Sequence, residues 1–318
     1  MYPINIAYPP IGIAIIPENH EIICDNTVGQ LFWMDADTGR IIRRKSIDSG
    51  PLDELGKAYY NTAFAVNVDK KLILAASTSI SANPRTSIVI LDANTGMEVS
   101  SFGLTGWGFG DRPLAGAISD DGKFIALGSY RRSTVIRIAN GQNVFSNENH
   151  NADDPNTIWS IAFTHDGKWL IRGGTKMDMW NTRTWVKQYQ ITGDYYSSVA
   201  INGNSTRVLA GGMGGLRLID LSSGRIIREF SLPPTEPRYK WAYYSVGFIS
   251  GGPLAYGVLW HVANPQGAIA IWDTSSGKLI GISDSTSDTE LLRCATYSDG
   301  IIYAASGKNI YLYKVGMR

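Results

Sequence analysis

Histidines, cysteines, acidic pairs and glycine-lysine dipeptides are where this 318-residue chain could do chemistry. Its four histidines are His20, His150, His165 and His261, and no two stand at metal-ligand spacing. His150-Asn151-Ala152-Asp153-Asp154 sets one imidazole beside two carboxylates. Such a set could hold a divalent ion, but a solvated loop has the same composition. Asp35-Ala36-Asp37 supplies two oxygens of a calcium loop without the rest. Gly-Lys occurs at 56–57, 122–123, 167–168, 277–278 and 307–308, never followed by Ser or Thr. A phosphate-binding loop needs that hydroxyl for Mg²⁺ and a helix start behind it. Gly106-Trp107-Gly108-Phe109-Gly110 lacks the spacing of a dinucleotide loop, and no Gly-x-Ser-x-Gly elbow is present. Cys24 and Cys294 are too few for a disulfide framework or a multi-cysteine zinc site. No catalytic constellation is legible, and neither a metal nor a cofactor is expected.

The elements that must position any site form a repeat. An apolar strand, a tight polar turn, a second strand rich in small residues and a third strand follow one another. The third strand ends near an Asp-x-x-Thr/Ser-Gly turn, and a fourth strand comes after it. Third strand plus turn reads FWMDADTG (32–39), IVILDANTG (88–96), VIRIANG (135–141), MDMWNTRT (177–184), LRLIDLSSG (216–224), AIWDTSSG (270–277) and NIYLYKVG (309–316). Markers at Asp35, Asp92, Ala139, Asn181, Asp220, Asp273 and Lys314 are spaced 57, 47, 42, 39, 53 and 41 residues apart. The short steps match the roughly 40–45 residues of a four-stranded propeller blade. Asp-Gly between apolar runs, as at 121–122 and 166–167, is a hairpin signal. The third strands are apolar on both faces, as strands packed between two neighbours must be. Small residues in the second strands, such as Gly128, Gly173, Gly174, Gly211 and Gly212, allow close approach near an axis. Residues 50–64 could hold one short helical turn.

The expectation is an all-β chain. It is a seven-bladed β-propeller of four-stranded antiparallel blades, one domain over 1–318. The seventh copy, about 291–316, lacks a fourth strand, and the N-terminal strand at about 2–8 is expected to supply it. The Asp-Gly-Lys turns and Ile271-Trp272-Asp273 resemble the Trp-Asp-repeat (WD-repeat) β-propeller family over about 2–316. Trp-Asp occurs in one copy, and no Gly-His dipeptide occurs, so the family's His-Asp-Ser-Trp network cannot form here. Asp35-Ala36-Asp37-Thr38-Gly39 and Asp92-Ala93-Asn94-Thr95-Gly96 are also similar to quinoprotein-type propeller repeats. Arg43 and Ser100 stand where that family places its docking Trp. Closure would bring Cys24 and Cys294 onto neighbouring blades. Two free thiols are the default there, with a disulfide as the alternative.

Composition bounds the partners. Lys+Arg is 29 and Asp+Glu 28, a balance that excludes a general polyanion binder. The hydrophobic content of 44% excludes disorder. No apolar run approaches the roughly 18 residues of a membrane span. No Lys or Arg precedes Arg40, so a secretory n-region is missing and a cytoplasmic, reducing location is expected. One rim of the ring carries short, repetitive turns. The other carries variable interblade loops (48–60, 104–112, 146–157, 232–244, 283–291) and insertions at 77–87 and 257–267. Binding residues belong on such loops. Trp107, Phe109, Arg112, Arg131, Tyr195, Tyr196, Tyr239, Trp241, Tyr244 and Trp260 are therefore the candidate binding face. Tyr, Trp and Arg dominate interface hot spots. Trp159 and Trp169 lie at strand positions and are expected in the core. The chain reads as a monomeric, non-catalytic module that binds a partner protein or peptide on this rim, with no nucleic acid and no membrane. The alternative is a small-ligand, carbohydrate or metal-dependent enzyme site at the channel mouth.

Overall fold

The structure, a computed structural model, describes residues 2–3, 10–26, 28–47, 59–79, 86–104, 107, 111–148, 157–232, 241–249, 252–261, 267–283, 292, 294–306 and 309–315. At 2–3, 59–62, 79, 241 and 261 it describes the backbone alone. A two-residue strand, β1 (Tyr2–Pro3), comes first. Blade 1 is β2 (Ile13–Ile16), β3 (Glu21–Asp25), β4 (Gln30–Asp35) and β5 (Ile41–Ser46). Blade 2 is β6 (Tyr59–Asn67), β7 (Leu72–Ser79), β8 (Thr86–Asp92) and β9 (Glu98–Leu104). Blade 3 is β10 (Ala115–Ile118), β11 (Phe124–Gly128), β12 (Arg132–Arg137) and β13 (Asn143–Glu148). Blade 4 is β14 (Ile158–Phe163), β15 (Trp169–Gly174), β16 (Met177–Asn181) and β17 (Lys187–Ile191). Blade 5 is β18 (Tyr196–Ile201), β19 (Arg207–Gly212), β20 (Gly215–Asp220) and β21 (Ile226–Phe230). Blade 6 is β22 (Trp241–Ile249), β23 (Leu254–His261), β24 (Gly267–Asp273) and β25 (Leu279–Ile282). Blade 7 is β26 (Cys294–Ser298), β27 (Ile301–Ala305) and β28 (Asn309–Lys314), with β1 on its outer edge.

All pairings are antiparallel, and the seven sheets form the ring of an all-β propeller. In β1, Tyr2 pairs with Ile310 and Pro3 with Asn309. The rest of the expected N-terminal strand lies outside the described residues. The anticipated helical turn is not found at 59–64, which begins β6; residues 50–58 lie outside the described residues. The blade 3 marker also moves. The Gly141 N–H bonds to the Arg137 carbonyl as Gly39 does to Asp35, so Arg137, two residues before Ala139, is the true equivalent.

Sequence explains the close approach of blades. A Cβ on Gly174 would lie 1.6 Å from the Thr157 carbonyl oxygen, and one on Gly212 would lie 1.5 Å from that of Tyr195. Only glycine lets these second strands pass under the chain entering the innermost strand. The Asp-x-x-Thr/Ser-Gly turns close in one way. In the last, Asp273 Oδ1 accepts from the N–H and hydroxyl groups of both Ser275 and Ser276, at 2.6–3.0 Å. Gly277 then takes φ +77.

Candidate functional site

The axis of the ring is a channel. Its upper part, about 260 Å³, is lined from all seven blades and opens toward the rim of interblade loops. Its lower part, about 360 Å³, lies between blades 7, 1 and 2 and is faced by Ile13, Ile15, Val66, Val68 and Tyr297 among others.

The innermost strands build the upper wall from a local repeat: Ile158-Trp159-Ser160-Ile161, Tyr196-Ser197-Ser198-Val199 and Tyr243-Tyr244-Ser245-Val246. In each, the register with the second strand slips by one residue, leaving Trp159, Ser197 or Tyr244 as the extra residue of a β-bulge. A bulge re-aims a side chain. Here Trp159 and Tyr244 line the channel instead of the blade interior. The serine that follows takes an N–H from the next blade. Ser160 Oγ accepts from Val199 at 3.0 Å, Ser198 from Val246 at 3.1 Å and Ser245 from Ala295 at 3.3 Å.

Rings then collect at the mouth. Tyr130, in the turn between β11 and β12, meets Trp159 edge-on at 5.8 Å between centroids. Trp159 lies 6.2 Å from Tyr195, in the connection from blade 4 to blade 5. Tyr244 lies 5.5 Å from Trp260, near the end of β23. Burial pushes the Tyr195 phenol pKa up, and the phenols of Tyr130 and Tyr244 push it further. The Arg112 guanidinium sits over the Tyr130 ring at 5.8 Å.

Arginine–carboxylate clusters hold the supports of these rings. In blade 3, Arg132 pairs with Asp111 and with Glu148. In blade 5, Arg217 pairs with Asp194 and Glu229 and donates to the Tyr196 hydroxyl. The parts correspond: an interblade Asp, an Arg in the third strand and the Glu paired with it in the fourth. In blade 4, Arg172 and Asp178 form a buried bidentate pair that also bonds Ser133 and Asn147 of blade 3.

The expected binding residues are divided. Arg112, Arg131, Tyr195, Tyr244 and Trp260 lie at or beside the mouth, with Tyr244 40% exposed. Trp107 and Tyr196 are packing residues, only 4% and 1% exposed. Trp107 fills the cluster between blades 2 and 3, with Arg132 over its ring. Tyr196 points away from the mouth into the core shared by blades 4 and 5. Trp241 lies in β22, and its side chain is not among those described. Phe109 and Tyr239 fall outside the described residues. Trp241–Tyr244, expected in a loop, belong to a nine-residue inner strand. Trp159, expected in the core, lies on the channel wall. Sequence reasoning also missed Tyr130, Ser160 and Ser198. The aligned aromatic/Ser-Ser-Ile/Val motif was the signal that could have found the bulges.

Cys24 and Cys294 occupy neighbouring blades and are not joined in a disulfide, Cys24 buried and Cys294 on the channel wall. Burial raises the Cys24 pKa well above that of an ordinary thiol. Among the described residues, no three His, Cys, Asp or Glu side chains converge as metal ligands, and no helix is long and apolar enough to cross a membrane. A comparison with protein-family models gives no match to this chain, and a comparison with curated proteins gives none either.

Proposed function

We propose that this propeller is a non-catalytic interaction module that takes an extended segment of a partner protein across the mouth of its channel. One observation carries it: rings from four blades, Tyr130, Trp159, Tyr195, Tyr244 and Trp260, gather at one channel mouth. Clustered, partly exposed Tyr and Trp side chains on a rigid scaffold are what peptide-binding faces use. Kinship with WD-repeat proteins belongs to the same proposal, supported by seven four-stranded blades and the Trp272-Asp273 ending of β24. So do a cytoplasmic location, a monomeric ring and the absence of nucleic-acid binding. A second reading, a small polar ligand in the upper channel, is favoured only by the serine hydroxyls facing that cavity.

The test is selection of a random dodecapeptide library on the full chain and on the Tyr195→Ala/Tyr244→Ala variant. Peptides enriched on the wild type and released by the folded variant support the module. Equal enrichment on both removes the mouth from the proposal. No enrichment on either, with a melting shift from a small polar metabolite, would favour the second reading.

A further inference from the structure

Among the described side chains the chemistry of the mouth is one-sided: they offer hydrogen-bond donors, and their carboxylates are already engaged. Ser160 and Ser198 use their oxygens to accept a backbone N–H, which leaves each hydroxyl proton available on the channel wall. The phenol hydroxyls of Tyr130, Tyr195 and Tyr244 have no acceptor among the described residues, nor do the buried indole N–H groups of Trp159 and Trp260.

The charges lean the same way. Asp111, Asp178 and Asp194 are each held in an ion pair with an arginine of the ring. Asp111 also accepts from the Ser129 hydroxyl, and Asp194 from the N–H groups of Tyr195 and Gly214. Arg112 lies over the Tyr130 ring, and the exposed Arg131 follows Tyr130 directly in the chain. A cationic ligand would meet the exposed Arg131 with no carboxylate to spare among the described side chains. An anionic group meets donors and positive charge together.

We propose that the partner segment presents an acidic side chain, Asp or Glu, whose carboxylate enters the channel mouth between the Tyr195 and Tyr244 hydroxyls while its neighbours pack on the rings. The proposal rests on the peptide-binding reading above and adds the chemistry of the peptide. Charge-assisted hydrogen bonds to a carboxylate are about twice as strong as neutral ones, so the acidic residue should dominate affinity.

The experiment uses the peptides selected on the full chain, resynthesised with each Asp→Asn or Glu→Gln and, separately, with an amidated C-terminus. Binding is read by fluorescence anisotropy. The expected result is enrichment of acidic residues and a loss of at least about tenfold for one acid-to-amide exchange, with no effect of amidation. Tyr195→Phe/Tyr244→Phe, which keeps both rings, should erase most of the difference between the acid and its amide. Peptides that need the mouth but are neutral or basic, or that tolerate every amide exchange, would overturn the acidic assignment and leave the peptide reading standing. Loss on C-terminal amidation alone would overturn the side-chain source. A library with no peptide released by Tyr195→Ala/Tyr244→Ala would overturn both.

Discussion

Replacing Arg172 with Met should destabilise the ring severely, because Arg172 is the cation that makes Asp178 tolerable inside it. The two side chains are 3% and 4% exposed. Arg172 donates to both oxygens of Asp178, at 2.7 and 2.5 Å, and to Ser133 Oγ at 2.6 Å and Asn147 Oδ1 at 3.0 Å. Its guanidinium lies 4.7 Å from the Trp180 ring centre, and the Trp180 indole also donates to Asp178, at 2.8 Å. Met would pack on the ring but leave the carboxylate one side-chain donor among the described residues, and Ser133 and Asn147 no shared partner across blades 3 and 4. Breaking a buried pair from one side costs about 3–5 kcal/mol. With an unfolding entropy of about 2.1 cal/mol/K per residue, that lowers the melting temperature of this 318-residue chain by roughly 4.5–7.5 °C. Urea unfolding followed by tryptophan fluorescence, with calorimetry beside it, measures both. Arg172→Met/Asp178→Leu should recover most of the loss, since buried pairs exchanged for apolar residues are often neutral or better. A loss below about 1 kcal/mol in Arg172→Met, or a double variant less stable than the single, would refute the assignment of the pair as an obligate couple.

Gly212→Ala should cost about 3 kcal/mol or more, because its Cβ would fall on the Tyr195 carbonyl. Gly103→Ala, with nothing within 4 Å, should stay within about 0.5 kcal/mol, and equal effects in urea unfolding would contradict the geometry. Deleting residues 1–9 should lower the melting temperature if the pairing of Tyr2 and Pro3 with β28 secures the ring; an unchanged value would deny it that role. The Asp273 carboxyl is held down to about 2 by the Ser275 hydroxyl and the Ser276 N–H. Its folded pKa is depressed, so the turn's contribution is full above the ordinary value of about 3.9 and is lost as pH falls from there through about 2. A carboxyl-carbon NMR titration with an ordinary midpoint would contradict this.

The ring was legible because its turns are written in residue types with mechanical reasons. Gly122 and Gly167 take φ +72 and +68 at the ends of the first turns, and Asp35, Asp92, Asp220 and Asp273 cap the third. In blade 3 that Asp is replaced by Arg137, and the marker slid by two residues as a consequence. The site was legible only in part. A bulge shifts alternation by one residue, so period-two reasoning assigns Trp159 to the wrong face. Trp107 reads as a loop aromatic, but it packs into the apolar cluster of blades 2 and 3, whose members are distant in sequence. Trp241–Tyr244 follow the proline-rich segment 233–237 and were grouped with it, although the strand begins at Trp241.

The arginine clusters connect the scaffold to the proposed chemistry. The loop aspartates Asp111 and Asp194 are each drawn onto a third-strand arginine that also holds a fourth-strand glutamate. That fixes the connection carrying Arg112 ahead of blade 3 and the connection carrying Tyr195 ahead of blade 5, two of the pieces that frame the mouth. It also neutralises the carboxylates that would otherwise repel an acidic ligand. Asp194→Asn should therefore act twice. It should loosen Arg217, because the amide NH2 that replaces Oδ2 cannot accept from the guanidinium, lowering stability, and the loosened connection should weaken an acidic peptide through a displaced Tyr195 despite removing a negative charge. If electrostatic attraction at the rim mattered more than placement of Tyr195, the same substitution would strengthen binding, and anisotropy titration of wild type and variant at two salt concentrations separates the two.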